Sequence, residues 1–531
     1  MSLTPKLLTF AVTFALAGTA LAGNPVADHA RLLVRQNPGA VHAAANDQFV
    51  ERDVIRDATG AEHVRFSRTY AGLDVIGGDF VVHSARGALR GVSKTLNTSF
   101  RPGTRPTLDS DTAIARAGAD FGTDFLGLPS ARLVIFALNT HPKLAYEVVF
   151  NGQKGNGDPT EMHFFVDAAN GRVLDKWDMV HTAGKPGGGG TTTGTPAVGT
   201  GRTLMYGNLS LNTTQSGTSF TLADLTRGGG SVYDANNVAY STAARRAVLF
   251  ADADNTWGNN ALSDRATVAA DAHFGVSTTW DFYKNTFNRN GIFNDGKGVK
   301  SYVHVGNAWV NAAWYANAMY YGDGGGSYLP LTALDIAGHE MSHGVNQATA
   351  GLVYSNDSGG LNEANSDIMG TLVEYYANNA NDPGDYKIGE EIYVSGTSAL
   401  RYMYDPNLDG NVSYDCYPAG GLGGVDPHYS SGPANHLFYL LAEGTSPAGG
   451  PASKTCNVGD SKDATGTGSL TGIGRAAAGA LWYRAHTVYM TSGTTFPQAR
   501  AAMLNAANDL YGAASAQRAA VAAAWSAIGV N

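Results

Sequence analysis

The sequence predicts an α+β protein with several domains, and three features of the chain carry this prediction. In the first third, runs such as HVRFSRTYAGLDVIGGDFVVH alternate apolar and polar residues with a period of two, as antiparallel strands do. A stretch rich in glycine, threonine and proline follows, and from Leu334 onward the apolar spacing becomes that of α-helices. Because the chain has 531 residues and exceeds a single core, we expect about two to four domains.

The composition is typical of a loop-rich globular protein. Hydrophobic residues make up 43% of the chain and charged residues 15%, and there are 67 glycines. The net charge of -9 is small for this length, and no cluster of lysine and arginine recurs along a helical face, so we expect no nucleic-acid partner. Beyond the N-terminus no stretch reaches the roughly 18 uninterrupted apolar residues of a membrane span.

Residues 1–22, MSLTPKLLTFAVTFALAGTALA, have the organisation of a secretory signal peptide. One lysine precedes an apolar run from Leu7 to Gly18, and Ala20-Leu21-Ala22 ends the segment. A basic start, a short apolar core and an A-x-A end are typical of a cleaved signal, while a buried N-terminal helix is the alternative. We therefore predict an extracellular protein with no membrane association after cleavage. Its two cysteines, Cys416 and Cys456, should then form a disulfide, because export exposes them to an oxidising compartment.

Residues 23–183 are predicted to form antiparallel strands with one helix near Ser110 to Gly127, and they contain no cluster with the spacing of a reactive site. Residues 184–202 include GKPGGGGTTTGTPAVGTG, which lacks apolar periodicity and predicts an exposed linker that proteases can cut. Residues 203–350 begin with strand-like segments such as SYVHVGNAWVNAAWYANAMYYG. Residues 351–531 are mostly helical in their spacing.

The stretch AGHEMSHGVN, residues 337–346, carries the first candidate for chemistry. His339 and His343 are four residues apart, so on a helix they share one face and can bind one metal ion. Glu340 lies about 100° further round, where it can reach a metal-bound water as a general base. Because this motif also occurs on ordinary helices, a third ligand is needed to decide.

A second segment, GGLNEANSDIMGTLVEYYANN, supplies that ligand. Glu363 and Asp367 share a helical face and are flanked by apolar residues at helical spacing. Two inward carboxylates are costly unless a positive group lies between them, although a solvated acidic face is the alternative. We expect Glu363 to bind zinc and Asp367 to accept a hydrogen bond from a ligand imidazole.

HEMSH followed by GLNEANSD, with Glu363 twenty residues after His343, resembles the thermolysin family of secreted zinc metallopeptidases. The likeness runs from about Val198 to Val530 and includes NAAWYANAMYYGDG, GLVYSN, SALRYMYDP and GVDPHYSSG. It implies a thermolysin-like two-lobed catalytic domain, with a β-rich N-terminal lobe (residues 203–350, including the zinc helix) and a mainly α-helical C-terminal lobe (residues 351–531).

The resemblance also implies the roles of individual residues at the catalytic centre. One catalytic zinc ion would be bound by His339, His343 and Glu363, which is the ligand set known for this family. The matching catalytic positions are Glu340 as the base, Tyr354 and His428 as donors to the developing oxyanion, and Asp426 as the group that orients His428. Asn362 would support the second zinc imidazole.

Substrate positions follow from the same resemblance. Asn311 and Ala312 match an edge strand that pairs with an extended peptide, and Arg401 matches a residue that binds a substrate carbonyl. The pocket for the side chain after the scissile bond would be lined by Tyr328, Leu331, Ile336, Ile388, Ile392 and Leu400. Since all six side chains are apolar or aromatic, a bulky hydrophobic residue should be preferred there.

A structural calcium site is implied by carboxylates that match the family's calcium ligands, namely Asp335, Glu374, Asp385 and Glu390. At least one calcium ion is expected. Lys387 stands where some members have a glutamate, and the loop over residues 378–384 is longer than in the family's best-known member, which leaves a second calcium ion open. Ordinary surface acids are the alternative for any single residue.

Upstream, YAGLDVIGGDFVVH and FFVDAANGRVL resemble the propeptide modules of the same family. This implies an α+β propeptide over residues 23–183 that acts as an intramolecular inhibitor and folding aid and is removed by a cut between Gly184 and Thr203. The sequence thus predicts a monomeric, secreted zinc endopeptidase, made as an inactive preproenzyme. It would hydrolyse internal bonds of proteins and peptides before bulky hydrophobic residues by means of a metal-activated water.

Two alternatives belong to other functional classes. A secreted binding protein on the same fold that has lost catalysis would have an incomplete set of catalytic residues, whereas this sequence has all of them. A zinc hydrolase of non-peptide amides or esters would need neither the edge strand nor the apolar pocket.

Overall fold

The computed structural model describes residues 24–122, 125–154, 158–180 and 193–531. The predicted signal peptide and residues 184–192 of the predicted linker lie outside these ranges. None of the helices in the described ranges has the length and apolar character needed to cross a membrane.

Residues 24–180, which we call the N-terminal module, form a nine-stranded sheet with two helices. The strand order is β5-β4-β2-β3-β6-β7-β8-β9, and β1 pairs with β2. The predicted helix after Ser110 is present, with Asp109 as its N-cap and Gly122 at φ +72° ending it. The elements are α1 (Pro25–Gln36), β1 (Asp47–Arg56), β2 (Ala61–Tyr70), β3 (Leu73–Ile76), β4 (Phe80–Ala85), β5 (Ala88–Lys94), α2 (Ser110–Phe121), β6 (Ser130–Phe136), β7 (Lys143–Gln153), β8 (Pro159–Asp167) and β9 (Val173–Asp178).

The first half of the C-terminal body (residues 193–531) contains two sheets and two long helices. One sheet has the order β16-β12-β11-β10-β17, and the other has the order β13-β14-β18-β20-β19 with β15 on β14, so that β19 is an edge strand. The elements are β10 (Thr195–Arg202), β11 (Asn208–Ser216), β12 (Ser219–Thr221), β13 (Ala223–Asp224), β14 (Gly230–Asp234), α3 (Tyr240–Arg246), β15 (Val248–Leu249), β16 (Ala251–Asp252), β17 (Thr256–Trp257), α4 (Arg265–Phe287), β18 (Lys300–Val305), β19 (Ala312–Tyr315), β20 (Ala318–Gly322) and α5 (Leu334–Ala348).

Strand β10 differs from the linker predicted for residues 184–202. It pairs along its whole length with β11, from Thr195 opposite Gln215 to Arg202 opposite Asn208. Its glycines serve close packing: a Cβ atom on Gly199 would collide with Asn255, and one on Gly201 would collide with the Leu211 side chain. Composition alone suggested flexibility, because it does not distinguish a glycine in a loop from one under a packed neighbour.

The second half of the C-terminal body is mainly helical, as the sequence predicts. One buried hydrophobic core runs through both halves and includes Trp257, Trp314, Trp482 and Trp525. The predicted disulfide between Cys416 and Cys456 is present and closes a loop of 40 residues, which stabilises the fold by roughly 4 kcal/mol in the chain-entropy model. The elements are α6 (Asn356–Ala377), β21 (Lys387–Ile388), β22 (Arg401–Tyr402), α7 (Pro427–Ser430), α8 (Gly432–Ala442), α9 (Arg475–Arg484), a π-helical turn (Ala485–Tyr489), α10 (Phe496–Tyr511) and α11 (Ala516–Ala527).

Candidate metal centre and active site

Helices α5 and α6 pack against each other closely enough to bring their polar side chains together. Glycines at the crossing allow this approach. A Cβ atom on Gly338 would lie 2.9 Å from the Gly370 Cα atom, and one on Gly370 would collide with the Asp335 carbonyl oxygen. Since only residues without a side chain fit at this crossing, the two helices can place histidines and carboxylates face to face.

His339 and His343 of α5 and Glu363 of α6 form a buried cluster whose ligand atoms all lie within 4.8 Å of one another. His343 Nε2 is 3.0 Å from His339 Nε2 and 3.3 Å from Glu363 Oε1. The other carboxylate oxygen, Glu363 Oε2, is buried, lies 3.5 Å from His339 Nε2 and accepts no hydrogen bond from any described residue. A buried carboxylate oxygen without a donor is costly, and two imidazoles with one carboxylate are a ligand set that zinc prefers. The residues therefore fit a zinc ion.

Neighbouring side chains hold the outer nitrogens of both imidazoles. His339 Nδ1 lies 2.8 Å from Asp367 Oδ1, and His343 Nδ1 lies 2.9 Å from Asn362 Oδ1. With Nδ1–H donating, Nε2 of each ring faces the cluster with its lone pair. Burial acts to raise the pKa of Asp367, but the charge of Arg401 and the hydrogen bond from His339 outweigh it, and the pKa lies well below its usual value.

Glu340 lies beside this cluster and is 5% exposed. Its Oε2 atom accepts a hydrogen bond of 2.7 Å from the backbone N–H of Trp314 in β19. Helix packing and the edge strand thus fix the carboxylate between them. Trp314 is a position that sequence reasoning missed, because a backbone donor leaves no mark in the identity of its residue.

Tyr354 and His428 complete the ring of polar groups around the cluster. The Tyr354 hydroxyl donates to Glu363 Oε1 at 2.6 Å and lies 3.3 Å from His428 Nε2. His428 is held by Asp426, whose Oδ1 lies 2.8 Å from His428 Nδ1 and also accepts the His428 backbone N–H. The family resemblance implies that the Tyr354 hydroxyl donates to the oxyanion of the substrate, whereas in this structure it donates a hydrogen bond to Glu363.

Comparison with known proteins agrees with this geometry. Sequence models described as "Thermolysin metallopeptidase, catalytic domain" and "Thermolysin metallopeptidase, alpha-helical domain" match residues 198–347 and 350–530. Upstream, a "Fungalysin/Thermolysin Propeptide Motif" matches residues 47–96, and a "Peptidase propeptide and YPEB domain" matches residues 107–177.

Individual relatives span both halves of the chain. The transglutaminase-activating metalloprotease of Streptomyces mobaraensis is 42% identical over 92% of this chain, which spans 61% of that longer relative. A thermolysin of Alicyclobacillus acidocaldarius subsp. acidocaldarius is 37% identical over 89% of this chain and 84% of its own length. A bacillolysin of Bacillus cereus is 37% identical over 92% of this chain and 86% of its own length. The chain belongs to the thermolysin family.

As a member of the thermolysin family, the chain is a metalloendopeptidase with propeptide motifs ahead of its catalytic domain. The fold class predicted from the sequence is confirmed as well, because the matched catalytic part has a β-rich first lobe and a helical second domain.

The edge strand of this thermolysin-family domain is covered by the N-terminal module. Asp158 Oδ1 accepts hydrogen bonds from Asn311 Nδ2 at 3.0 Å and from Trp309 Nε1 at 2.8 Å. Glu161 Oε2 accepts one of 2.8 Å from the Tyr315 hydroxyl. On the outer side of β19, the Ala312 N–H donates to Asn311 Oδ1 at 2.9 Å.

The six predicted pocket residues lie around the segment that joins β21 to β22. The Leu400 N–H donates to Ile388 O at 2.7 Å, and Gly389 between them faces the Leu400 and Ile336 side chains. Leu331, Ile388 and Ile392 are fully buried, whereas Tyr328 and Leu400 are only partly buried. Arg401, expected to meet a substrate carbonyl, forms a bidentate pair with Asp367 at 2.6 and 2.8 Å.

The predicted calcium carboxylates are only partly brought together. Ligand atoms of Glu374, Asp382 and Glu390 lie within 4.8 Å of one another, and Asp382 Oδ2 and Glu390 Oε2 are buried without a hydrogen-bond donor in the described ranges. Burial and neighbouring carboxylates raise the pKa of Asp382 to about 7 and that of Glu390 to about 9. Asp382 comes from the lengthened loop and was missed, although the loop's extra length was the available signal.

Two of the predicted calcium ligands have other partners. Asp335 is buried and accepts backbone N–H groups from Ile336 and Gly389, and burial, followed by the charge of Asp382, raises its pKa to about 7. Asp385 differs most from the expectation, because Lys387 donates to it through both the backbone N–H at 2.6 Å and Nζ at 2.7 Å. Asp385 is therefore an ion-pair partner of Lys387.

Proposed function

We propose that this chain is the precursor of a secreted, monomeric zinc endopeptidase that cleaves proteins and peptides on the N-terminal side of bulky hydrophobic residues. The observation that carries the proposal is the buried, donorless Glu363 Oε2 facing two imidazole nitrogens, with Glu340 beside it and an edge strand alongside. The predicted signal peptide would direct export, residues 23–183 would be the propeptide, and the cut would fall between Gly184 and Thr203.

His339, His343 and Glu363 would bind the ion, and zinc bound there supplies the Lewis acidity that peptide hydrolysis requires. Glu340 takes the proton of the attacking water and delivers it to the leaving amine, while the Trp314 N–H keeps its carboxylate oriented. His428, oriented by Asp426, donates to the developing oxyanion. The Tyr354 hydroxyl is the second donor to the oxyanion, because it gives up its hydrogen bond to Glu363 Oε1 and donates to the substrate instead.

The substrate would add to the outer edge of β19 as an extended strand, with Asn311 and Ala312 as its contacts. The side chain after the scissile bond would enter the apolar pocket around Tyr328 and Leu400, and Arg401 would bind the adjacent carbonyl. This arrangement favours peptides over small esters or amides, because a small substrate would use neither the strand nor the pocket.

The N-terminal module is proposed to act as an intramolecular inhibitor and folding aid. Asp158 accepts a hydrogen bond from the Asn311 amide, and Glu161 accepts one from the Tyr315 hydroxyl. The Phe136, Phe165 and Trp177 side chains pack in one cluster with Tyr354. A peptide cannot add to β19 or reach the Tyr354 hydroxyl while these contacts persist.

Digestion of a peptide library by the matured enzyme tests the function directly. New N-termini should be enriched in Leu, Ile, Phe and Val, a zinc chelator should abolish cleavage, and added zinc should restore it. Cleavage that is unaffected by chelation would contradict the zinc site, and products without hydrophobic N-termini would contradict the pocket.

We also propose one structural calcium ion, bound by Glu374, Asp382 and Glu390 with Asp335 next to them. The grouping of buried carboxylates with raised pKa supports a cation there, and oxygen ligands suit calcium. The Lys387 pairing makes Asp385 the weakest of the predicted ligands.

Replacing Asp382 with Asn should therefore lower calcium affinity and remove most of the rise in Tm that calcium produces, since ligand binding stabilises the folded state. Asp385→Asn is the matched control on the same loop and should keep most of that rise. The measurement is the Tm of each variant with added calcium and with a calcium chelator. An equal loss in both variants would show that Asp385 is a ligand despite Lys387.

A further inference from the structure

We infer that Asn435 is a positioning residue that fixes the Asp367 carboxylate and, through it, both His339 and Arg401. The inference rests on the zinc site proposed above and extends it by one step, to helix α8. Asn435 is 1% exposed, and its Nδ2 donates a hydrogen bond of 2.8 Å to Asp367 Oδ2. Helix α8 begins two residues after the end of α7, which carries His428. One short segment of the chain therefore supplies both His428 beside Tyr354 and Asn435 beside Asp367.

Asp367 accepts four hydrogen bonds, two at each oxygen. Oδ1 accepts from His339 Nδ1 at 2.8 Å and from an Arg401 terminal nitrogen at 2.6 Å. Oδ2 accepts from Arg401 Nε at 2.8 Å and from Asn435. Arg401 must also meet the substrate, so its hold on Asp367 changes when a peptide binds. Asn435 is the donor that keeps the carboxylate plane, and with it the His339 ring, in place during that change.

The chemistry of Asn435 suits this role better than a packing role. Its Oδ1 is buried and accepts no hydrogen bond from the described residues, which is a cost in stability that a residue needed only for packing would not carry. A neutral donor is also what the charges require. Glu340, Glu363 and Asp367 are balanced by Arg401 and a divalent ion, and a further charge at position 435 would upset that balance.

Zinc release into a chromogenic chelator tests the inference without relying on activity. Asn435→Leu removes the donor at similar size and should release zinc about tenfold faster than the wild-type enzyme, since partners of ligand side chains contribute to metal retention. Asn365→Leu is the matched control. Asn365 is equally buried on α6. Its Oδ1 accepts from Trp482 Nε1 at 3.2 Å and its Nδ2 donates to the Ser342 carbonyl oxygen at 3.5 Å, so neither bond reaches Asp367 or a zinc-ligand side chain, and its loss should lower stability and leave zinc release within about twofold.

Asn435→Asp gives a second readout, which holds even if the leucine variant folds poorly. The introduced carboxyl group and Asp367 would share one proton, because two buried carboxylates in contact do not both ionise. At about pH 5.5 the protonated group can still donate to Asp367, and at about pH 8.5 it repels Asp367. The zinc ligands lose metal on protonation in both enzymes, so the ratio of the Asn435→Asp release rate to the wild-type rate isolates the effect of the introduced group, and that ratio should rise with pH.

The two proposals fail in different ways. Wild-type enzyme without stoichiometric zinc would overturn the zinc site and this inference together. Zinc-loaded wild-type enzyme would leave the zinc site standing, and the inference on Asn435 would be overturned if Asn435→Leu released zinc at the wild-type rate, or if Asn435→Asp kept the wild-type dependence on pH.

Discussion

Glu340→Gln is expected to lower kcat/KM for peptide hydrolysis by about 10²- to 10⁴-fold, because it removes the carboxylate that we propose as the general base. The amide has nearly the shape of the carboxylate, and its oxygen can still accept the Trp314 N–H, so neither the fold nor the zinc ligands should change. Peptide kinetics, zinc content and Tm of the purified variant measure these three expectations. Glu443→Gln is the matched control, since Glu443 accepts from Tyr386 and Arg475 away from the cluster.

The same variant tests whether the precursor cuts itself. Without the base, the Glu340→Gln precursor should accumulate with its N-terminal module still attached, and mass spectrometry of the secreted protein would show the uncut chain. Maturation at the normal rate would mean that another protease makes the cut, while the loss of peptide hydrolysis would still test the catalytic role. Activity within a few-fold of wild type would remove Glu340 from the mechanism.

Arg484→Met should loosen the N-terminal module. The Arg484 guanidinium lies between Asp57 of the module, at 2.6 Å from both carboxylate oxygens, and Asp509 of α10, at 2.7 Å. Its side chain is 12% exposed and that of Asp57 is 20% exposed, so the variant leaves a mostly buried carboxylate with His63 as its remaining partner at 3.1 Å. Breaking such a pair costs about 3 kcal/mol, which lowers the equilibrium constant for docking of the module roughly 100-fold.

Amide hydrogen exchange measures how firmly the module docks on the C-terminal body, and the Glu340→Gln background keeps the chain uncut during the measurement. Residues 485–495 contact the module through Arg65, Asp79 and Thr95, so their exchange should speed up in Arg484→Met. Arg475→Met is the control on the same helix, because Arg475 pairs with Glu443 inside the C-terminal body. Equal exchange in the two variants would mean that Arg484 does not hold the module.

Acidification should loosen the wild-type interface in the same assay. Burial acts to raise the pKa of Asp57, but hydrogen bonds from His63 and Arg484 hold it well below its usual value, so its contribution is lost as the pH falls. His83 lies 2.8 Å from His63 and packs against Tyr489, and burial, followed by the charges of His63 and Arg65, lowers its pKa to about 3. A histidine with a lowered pKa stabilises the fold fully above its ordinary value of 6.5 and progressively less toward pH 3. Amide exchange is intrinsically slower in acid, so the quantity to compare is the protection factor, which is the intrinsic rate divided by the observed rate. Both groups predict a lower protection factor at low pH, and a protection factor that rises in acid would contradict this.

Some features were predictable from the sequence because they depend on spacing within one element. The fold class and the family are confirmed, and helix α5 begins at Leu334, where the apolar spacing changes. His339 and His343 share a face because each residue of a helix turns by about 100°. The disulfide follows from there being two cysteines in a chain whose sequence predicts export.

Contacts between different helices, strands and loops could not be predicted from the spacing of residues within one element. Asp382 reaches Glu374 and Glu390 only because the loop over residues 378–384 folds inward, and Asp385 turns to Lys387 two residues along the chain. The Trp314 N–H on Glu340 and the Asn435 amide on Asp367 join residues that lie 26 and 68 positions apart in the chain.

The sequence by itself determined which elements form, which residue types share a helical face, and to which family the chain belongs. Only the tertiary structure decided how far apart those faces lie, as Gly338 and Gly370 at the α5–α6 crossing show, and which acids cluster with one another and which one pairs with a lysine. It also decided that the N-terminal module covers β19 and Tyr354. The physical reason is that periodicity is set by local backbone geometry, whereas distances between elements are set by packing, in which each side chain's neighbours come from distant parts of the chain.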